Sequence, residues 1–207
     1  MVISNFIPPY KIEESAKAFL KQYHPENSIP IPIEEIVEIK LNFKIIPSRD
    51  LRRDFGIDAF SIPEHKEIYI DEHQYFDMEN RARFTLAHEV GHLILHNEFT
   101  EAVNFSDFDQ WKKFVLKDLK GSTFLEPQAN MFASFLLLPT SHLENQYKVA
   151  KENLKNMPDL SSEQFNQLLD KDLYPYLAKP ISKVFEVSEQ CCELRLKNWL
   201  NSLGNNY

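Results

Sequence analysis

Apolar positions recur at helical spacing early in the chain. Ala16, Phe19, Leu20 and Tyr23 fall on one face, so residues 11–24 read as an amphipathic helix. Pro25, Pro30 and Pro32 punctuate the next loop. Ile33 to Ile39 reads as a short second helix starting after Pro32. The period then shortens. Phe43 to Ile46 reads as a strand, and Phe55 to Ile62 with Glu67 to Asp71 as a hairpin about Pro63-Glu64-His65-Lys66, where Ile68-Tyr69-Ile70 alternates. Asp77 is placed as the N-cap of a long helix, which contains an apolar run from Phe84 to Leu95. Residues 98–122 form a connection with a helix about Asp109 to Leu119, in which Trp111 and Phe114 are expected to serve packing, the alternative being that they shape the substrate cleft. A second buried helix runs to Pro139. The C-terminal third, residues 141–207, is helical and more polar. Within it, Ile181 to Trp199 resembles a helix-turn-helix, with Ser188 capping the second helix. Hairpin and long helix make a small α+β unit rather than a parallel-sheet fold. The expected division is residues 1–145 as one domain and 146–207 as a helical C-terminal region.

Polar residues inside the long apolar run carry the chemistry. His88-Glu89-Val90-Gly91-His92 is an HExxH motif. Residues four apart on a helix share a face with Cβ atoms about 5–6 Å apart, so two imidazoles can reach one ion. Glu89 sits about 100° round the helix, placed to act as a general base on water that the ion activates. With 7 His and 20 Glu in 207 residues, random placement gives this pattern somewhere in roughly 2% of such chains. Its context sharpens it: burying two His and a Glu among Phe84, Leu86, Val90, Leu93, Ile94 and Leu95 costs free energy unless they are satisfied, and a metal satisfies all three. The competing reading is a core helix whose histidines are hydrogen-bonded to neighbouring elements.

A catalytic zinc takes three protein ligands and keeps one position open. Leu95 and Glu98 stand where a metzincin has Gly and a third His, which excludes that class. A deformylase-type site needs an upstream Cys, and the only cysteines are Cys191 and Cys192. His96 shares the stripe of His88 and His92 but lies about 12 Å along the axis from His88. Its expected role is an interaction with the helix dipole. The best carboxylate is Glu126, with Asn130 four residues on, on the same face of the second buried helix. Glu126 then reads as a ligand, and Asn130 as the group holding the second nitrogen of a ligating His. The alternative for Glu126 is a capping box with Thr123.

Two blocks together, Phe84-Thr-Leu-Ala-His88-Glu-Val-Gly-His92-Leu-Ile-Leu-His96 and Glu126-x-x-Ala129-Asn130-x-Phe132-Ala133-x-x-Leu136-Leu-Leu-Pro139, resemble the ImmA/IrrE family of metallopeptidases. The likeness is strongest over residues 55–140. It implies a mostly helical, zincin-like α+β core with a small antiparallel sheet, Zn2+ as cofactor, and His88, His92 and Glu126 as ligands with Glu89 as base. It also implies a protein substrate: a helix-turn-helix transcriptional repressor, in a mobile element or a stress regulon. Two positions depart from the pattern. Pro127 replaces an ordinary helix former, which sets Glu126 at a helix boundary. Gln128 stands where an acid is common. In zincin folds a strand edge beside the metal takes an extended peptide, and Ile68 to Asp71 or its partner strand is the candidate here. His142 and Tyr69 are candidate donors to the oxyanion. The other class of function is a regulatory module that sequesters a repressor, with structural or vestigial zinc.

Charge changes the picture at one point. The net charge is −8, and Lys183, Arg195 and Lys197 are matched by Glu186, Glu189 and Glu193 between residues 180 and 207. That balance argues against tight phosphate binding, so the C-terminal helices are expected to pack or meet protein rather than DNA. Two adjacent cysteines make no ordinary disulfide framework and point to a reducing compartment. Residues 1–15 show no secretory pattern, and no run reaches the length of a membrane span, so a cytoplasmic protein is expected.

Overall fold

The computed structural model describes residues 6–96, 124–156, 165 and 170–204 of the 207. The chain divides into two compact units, Met1–Asn27 with Pro32–Leu136, and Ser28–Ile31 with Leu137–Tyr207. The helix expected about Asp109 to Leu119, with Trp111 and Phe114, lies outside the described residues.

The first unit opens with α1 (Pro9–Tyr23), which starts at a proline, where a missing N–H costs nothing. Its buried stripe of Ile12, Ala16, Phe19 and Leu20 follows the helical period. A short α2 (Ile33–Glu35) continues as a π turn over Ile36–Lys40. Next come β1 (Lys44–Ser48), α3 (Leu51–Phe55), β2 (Ala59–Ile62) and β3 (Glu67–Asp71). β2 and β3 form the expected hairpin, pairing antiparallel with Phe60 opposite Tyr69. Its first arm starts at Ala59 rather than Phe55, because residues 51–55 are helical and end on Gly56 in the left-handed conformation, φ 69°.

The sheet order is β1-β3-β2, and β1 pairs parallel with β3, Ile45 opposite Ile68. The sheet is therefore mixed rather than the antiparallel one that the family resemblance implied. The connection over residues 49–66 is long enough to return the chain in parallel. β3 is paired on both sides, so the candidate for strand addition passes from Ile68–Asp71 to its partner β2, which is an edge strand among the described residues and packs against α5. Ile68 and Ile70 are fully buried on one face. Tyr69 faces the other way, stacked on Phe60 at 4.7 Å in a small cluster with Leu51.

The carboxylate of Asp71 closes β3 and opens α4 (Glu72–Asp77), accepting from the Gln74 amide at 3.2 Å and the Arg52 amide at 3.0 Å. The motif helix α5 (Glu79–Leu95) follows after a break at Met78, φ −135° and ψ 58°. Asp77 is thus the last residue of α4 and not the cap of α5, and Asp71 is the capping aspartate. α5 is buried along Ala82, Leu86, Ala87 and Val90. α6 (Leu125–Leu137) buries Ala129, Phe132, Ala133 and Leu136, with Phe132 edge-on to Phe19 at 6.1 Å.

The second unit contains α7 (Thr140–Lys155), α8 (Asp170–Phe185) and α9 (Glu189–Gly204). α8 and α9 form the expected helical pair, and Ser188 Oγ accepts from the Cys191 amide at 3.1 Å as its cap. Arg195 donates to Thr140 Oγ1 at 2.7 Å, and Tyr147 packs edge-on against Trp199. Among the described residues, no helix is long and apolar enough to cross a membrane.

Candidate metal centre

His88 and His92 stand one turn apart on α5 with ring centroids 4.7 Å apart. Gly91, between them, lies against α6. A Cβ built there would lie 3.1 Å from the Ala129 carbonyl oxygen, 3.2 Å from its Cα and 3.3 Å from Phe132 Cβ. Two of these are backbone atoms of α6, so the glycine permits an approach that any side chain would obstruct.

That approach brings the first turn of α6 to the histidines. Glu126 lies in this turn, and Pro127 behind it interrupts nothing, because the amides of a first turn have no helical partner. Glu126 Oε2 is 3.3 Å from His88 Nε2, and Oε1 is 3.3 Å from His92 Nε2. The two Nε2 atoms are 3.0 Å apart. His88, His92 and Glu126 are the group among the described residues whose ligand atoms converge. Two nitrogens held about 2.0–2.1 Å from one tetrahedral zinc stand about 3.3 Å apart, so the donor set fits that ion with little movement. The imidazole side chains are 15% and 14% exposed and the carboxylate 50%, so the group is reachable from solvent on the Glu126 side.

The groups behind the imidazoles are equally ordered. The His88 Nδ1–H donates to Asn130 Oδ1 at 2.9 Å, as expected of Asn130. This bond leaves Nε2 of His88 facing the carboxylate. His92 Nδ1 faces His96 Nδ1 at 3.1 Å, and His96 Nε2 lies 2.9 Å from Gln128 Oε1. His96 and Gln128 are both buried. The dipole role expected for His96 needs a charged ring, and burial pushes its pKa down to about 4. The ring is therefore neutral near pH 7, and its position behind His92 replaces that role. The signal was present in the sequence as one further helical repeat past the motif.

The electrostatics favour an ion pair. Hydrogen bonds from His88 and then His92 hold the Glu126 carboxyl well below the usual carboxylate range, against the effect of burial. Burial works against a charged His88, but the Glu126 hydrogen bond and the charges of Glu89 and Glu126 outweigh it and raise its pKa. Glu89 is buried beside His88. Asp58, also within the field of His88, is bridged by Arg52 and Arg81 at 2.8 Å each. Two further residues are the candidate oxyanion donors, Tyr69 and His142. Tyr69 donates its hydroxyl to Glu67 Oε2 at 3.0 Å. His142 belongs to the second unit, its buried Nε2 without a hydrogen-bond partner among the described residues.

No curated protein matches the chain. The model of the IrrE N-terminal-like domain, peptidase M78, matches residues 35–197, a span that includes both the HExxH helix and the helix bearing Glu126. The chain belongs to the M78 peptidase family, that of the IrrE N-terminal-like domain.

Proposed function

We propose that the protein is a zinc-dependent endopeptidase acting on a cytoplasmic protein, a helix-turn-helix transcriptional repressor. The observation that carries this reading is the convergence of two imidazole nitrogens and a carboxylate at a solvent-reachable point, with a buried carboxylate, Glu89, beside it. His88, His92 and Glu126 hold the ion, and Asn130 orients His88. Zinc in this site supplies Lewis acidity, acidifying water and polarising the scissile carbonyl. Glu89 takes the proton from the attacking water. As the water oxygen bonds to the carbonyl carbon and the C–N bond breaks, Glu89 returns that proton to the leaving amine. An extended substrate segment adds as a further strand along β2, the outer strand of the order β1-β3-β2. The repressor as substrate rests on the family likeness and the cytoplasmic setting on the two adjacent cysteines. Activity in a stress regulon or mobile element belongs to the same reading.

Incubation of the zinc-loaded protein with a helix-turn-helix repressor, with and without chelator, tests it. Cleavage should require zinc and should fall about 10²–10⁴-fold in Glu89→Gln, which keeps the ligands and removes the base. Cleavage at the wild-type rate by Glu89→Gln would refute the peptidase mechanism. Repressor binding without cleavage by wild type would favour a sequestering module instead.

A further inference from the structure

We propose that His96 is a positioning residue: it accepts a hydrogen bond from His92 Nδ1–H and so fixes the tautomer and ring angle that let His92 Nε2 bind the metal, while Gln128 fixes the tautomer of His96. The inference rests on His92 being a ligand, as proposed above. Its geometry is independent of what the enzyme cleaves.

One requirement settles every proton along the row. For Nε2 of His92 to offer its lone pair, the ring proton must sit on Nδ1. The neighbour of that Nδ1, at 3.1 Å, is Nδ1 of His96, which must then accept and carry its own proton on Nε2. The neighbour of that Nε2, at 2.9 Å, is the side-chain oxygen of Gln128, which accepts. The order Gln128 Oε1, His96, His92 therefore leaves no donor facing a donor and no acceptor facing an acceptor. The row matches the Asn130–His88 bond on the other side, so each imidazole is backed by an amide oxygen, directly for His88 and through one ring for His92.

Local structure makes the row stiff. His96 is the first residue past α5, and its amide donates to the His92 carbonyl at 3.0 Å, so the two residues are tied by backbone as well as by ring. Gln128 lies two residues after Glu126 on α6, and its amide donates to the Phe124 carbonyl in the first turn. The same turn thus carries the carboxylate ligand and the amide that sets His96. Groups behind metal-bound histidines commonly change affinity about 10–100-fold when removed.

The test measures zinc affinity by competition with a chromophoric chelator, with melting of the metal-free protein as the control for fold. His96→Phe keeps an aromatic ring and removes the acceptor, and should bind zinc about 10–100-fold more weakly. His96→Gln returns an acceptor and should recover most of the loss. Gln128→Leu should weaken binding by less, and the double variant should be no weaker than His96→Phe, because Gln128 acts through His96. In the zinc-loaded wild type, nitrogen NMR should find the His92 proton on Nδ1 and the His96 proton on Nε2. Wild-type affinity in His96→Phe, additive losses in the double variant, or the His96 proton on Nδ1 would each overturn the proposal while leaving the zinc site standing. Undiminished zinc binding by His92→Ala would remove the ligand reading and this inference with it.

Discussion

Gly91→Ala tests whether the site depends on the close crossing of α5 and α6. The added Cβ would meet the Ala129 carbonyl oxygen at 3.1 Å, its Cα at 3.2 Å and Phe132 Cβ at 3.3 Å, all tighter than ordinary contact. Ala129 and Phe132 are fully buried, and the nearest atoms are helix backbone, so relief requires α6 to move away by a few tenths of an ångström. Overpacking of this kind costs about 1–3 kcal/mol, whereas replacing a helical glycine by alanine returns about 0.8–1.0 kcal/mol of propensity. The net expectation is a loss of about 0–2 kcal/mol. At this chain length a kcal/mol moves Tm by about 2–4 °C, so Tm should fall by up to about 8 °C. The sharper effect is on the metal, because α6 carries Glu126 and α5 the histidines. Zinc affinity should drop even where Tm barely moves. The assay pairs calorimetry of the metal-free protein with zinc titration by chelator competition. A variant that melts higher by the full propensity gain and binds zinc as tightly as wild type would refute the crossing.

In the metal-free protein, Glu126 is depressed and contributes stability above its ordinary value of 4.5, lost as pH falls through its lowered value. His88 is raised and contributes fully below 6.5, lost as pH rises through its raised value. The pair should therefore stabilise the chelated protein most between those values, and zinc, which must displace the His88 proton, should bind more tightly as pH rises from 6, by up to about tenfold per unit for one proton; titrations at pH 6, 7 and 8 that show equal affinity would contradict this. Asp71→Ala removes the α4 cap and leaves the Arg52 amide without its carboxylate, so it should cost about 2 kcal/mol and lower Tm by about 4–8 °C, whereas Asp71→Asn should keep most of the stability. Equal melting of the two variants would show that the carboxylate caps nothing.

Local patterns were legible in the sequence. The i, i+4 pair His88 and His92, the later pair Glu126 and Asn130, the stripe of α1 and the Ser188 cap all follow from spacing on a single element. What escaped needed a partner distant in the chain. β1 joins β3 in parallel across an intervening hairpin arm, and no alternation within β1 encodes that. His96 shares the local spacing of the motif, but its contact with Gln128 joins it to a residue 32 positions later. Gly91 reads as an unfavourable helix residue until α6 is laid against it. Asp77 read as the cap of the motif helix, but the backbone break at Met78 makes it the last residue of α4, which Asp71 caps. Pro127 disfavoured helix at Glu126 locally, yet a first turn has no amide bond to lose, so the carboxylate keeps its aim.

The central claim is that two helices deliver three protein donors to a single zinc ion. Anomalous diffraction at the zinc absorption edge, on crystals of the full chain grown with one equivalent of zinc, tests it most directly. The account predicts one strong peak within about 2.0–2.2 Å of His88 Nε2, His92 Nε2 and a Glu126 carboxylate oxygen. A peak bound elsewhere, or one at the histidines with the Glu126 carboxylate turned away and another side chain in its place, would contradict it.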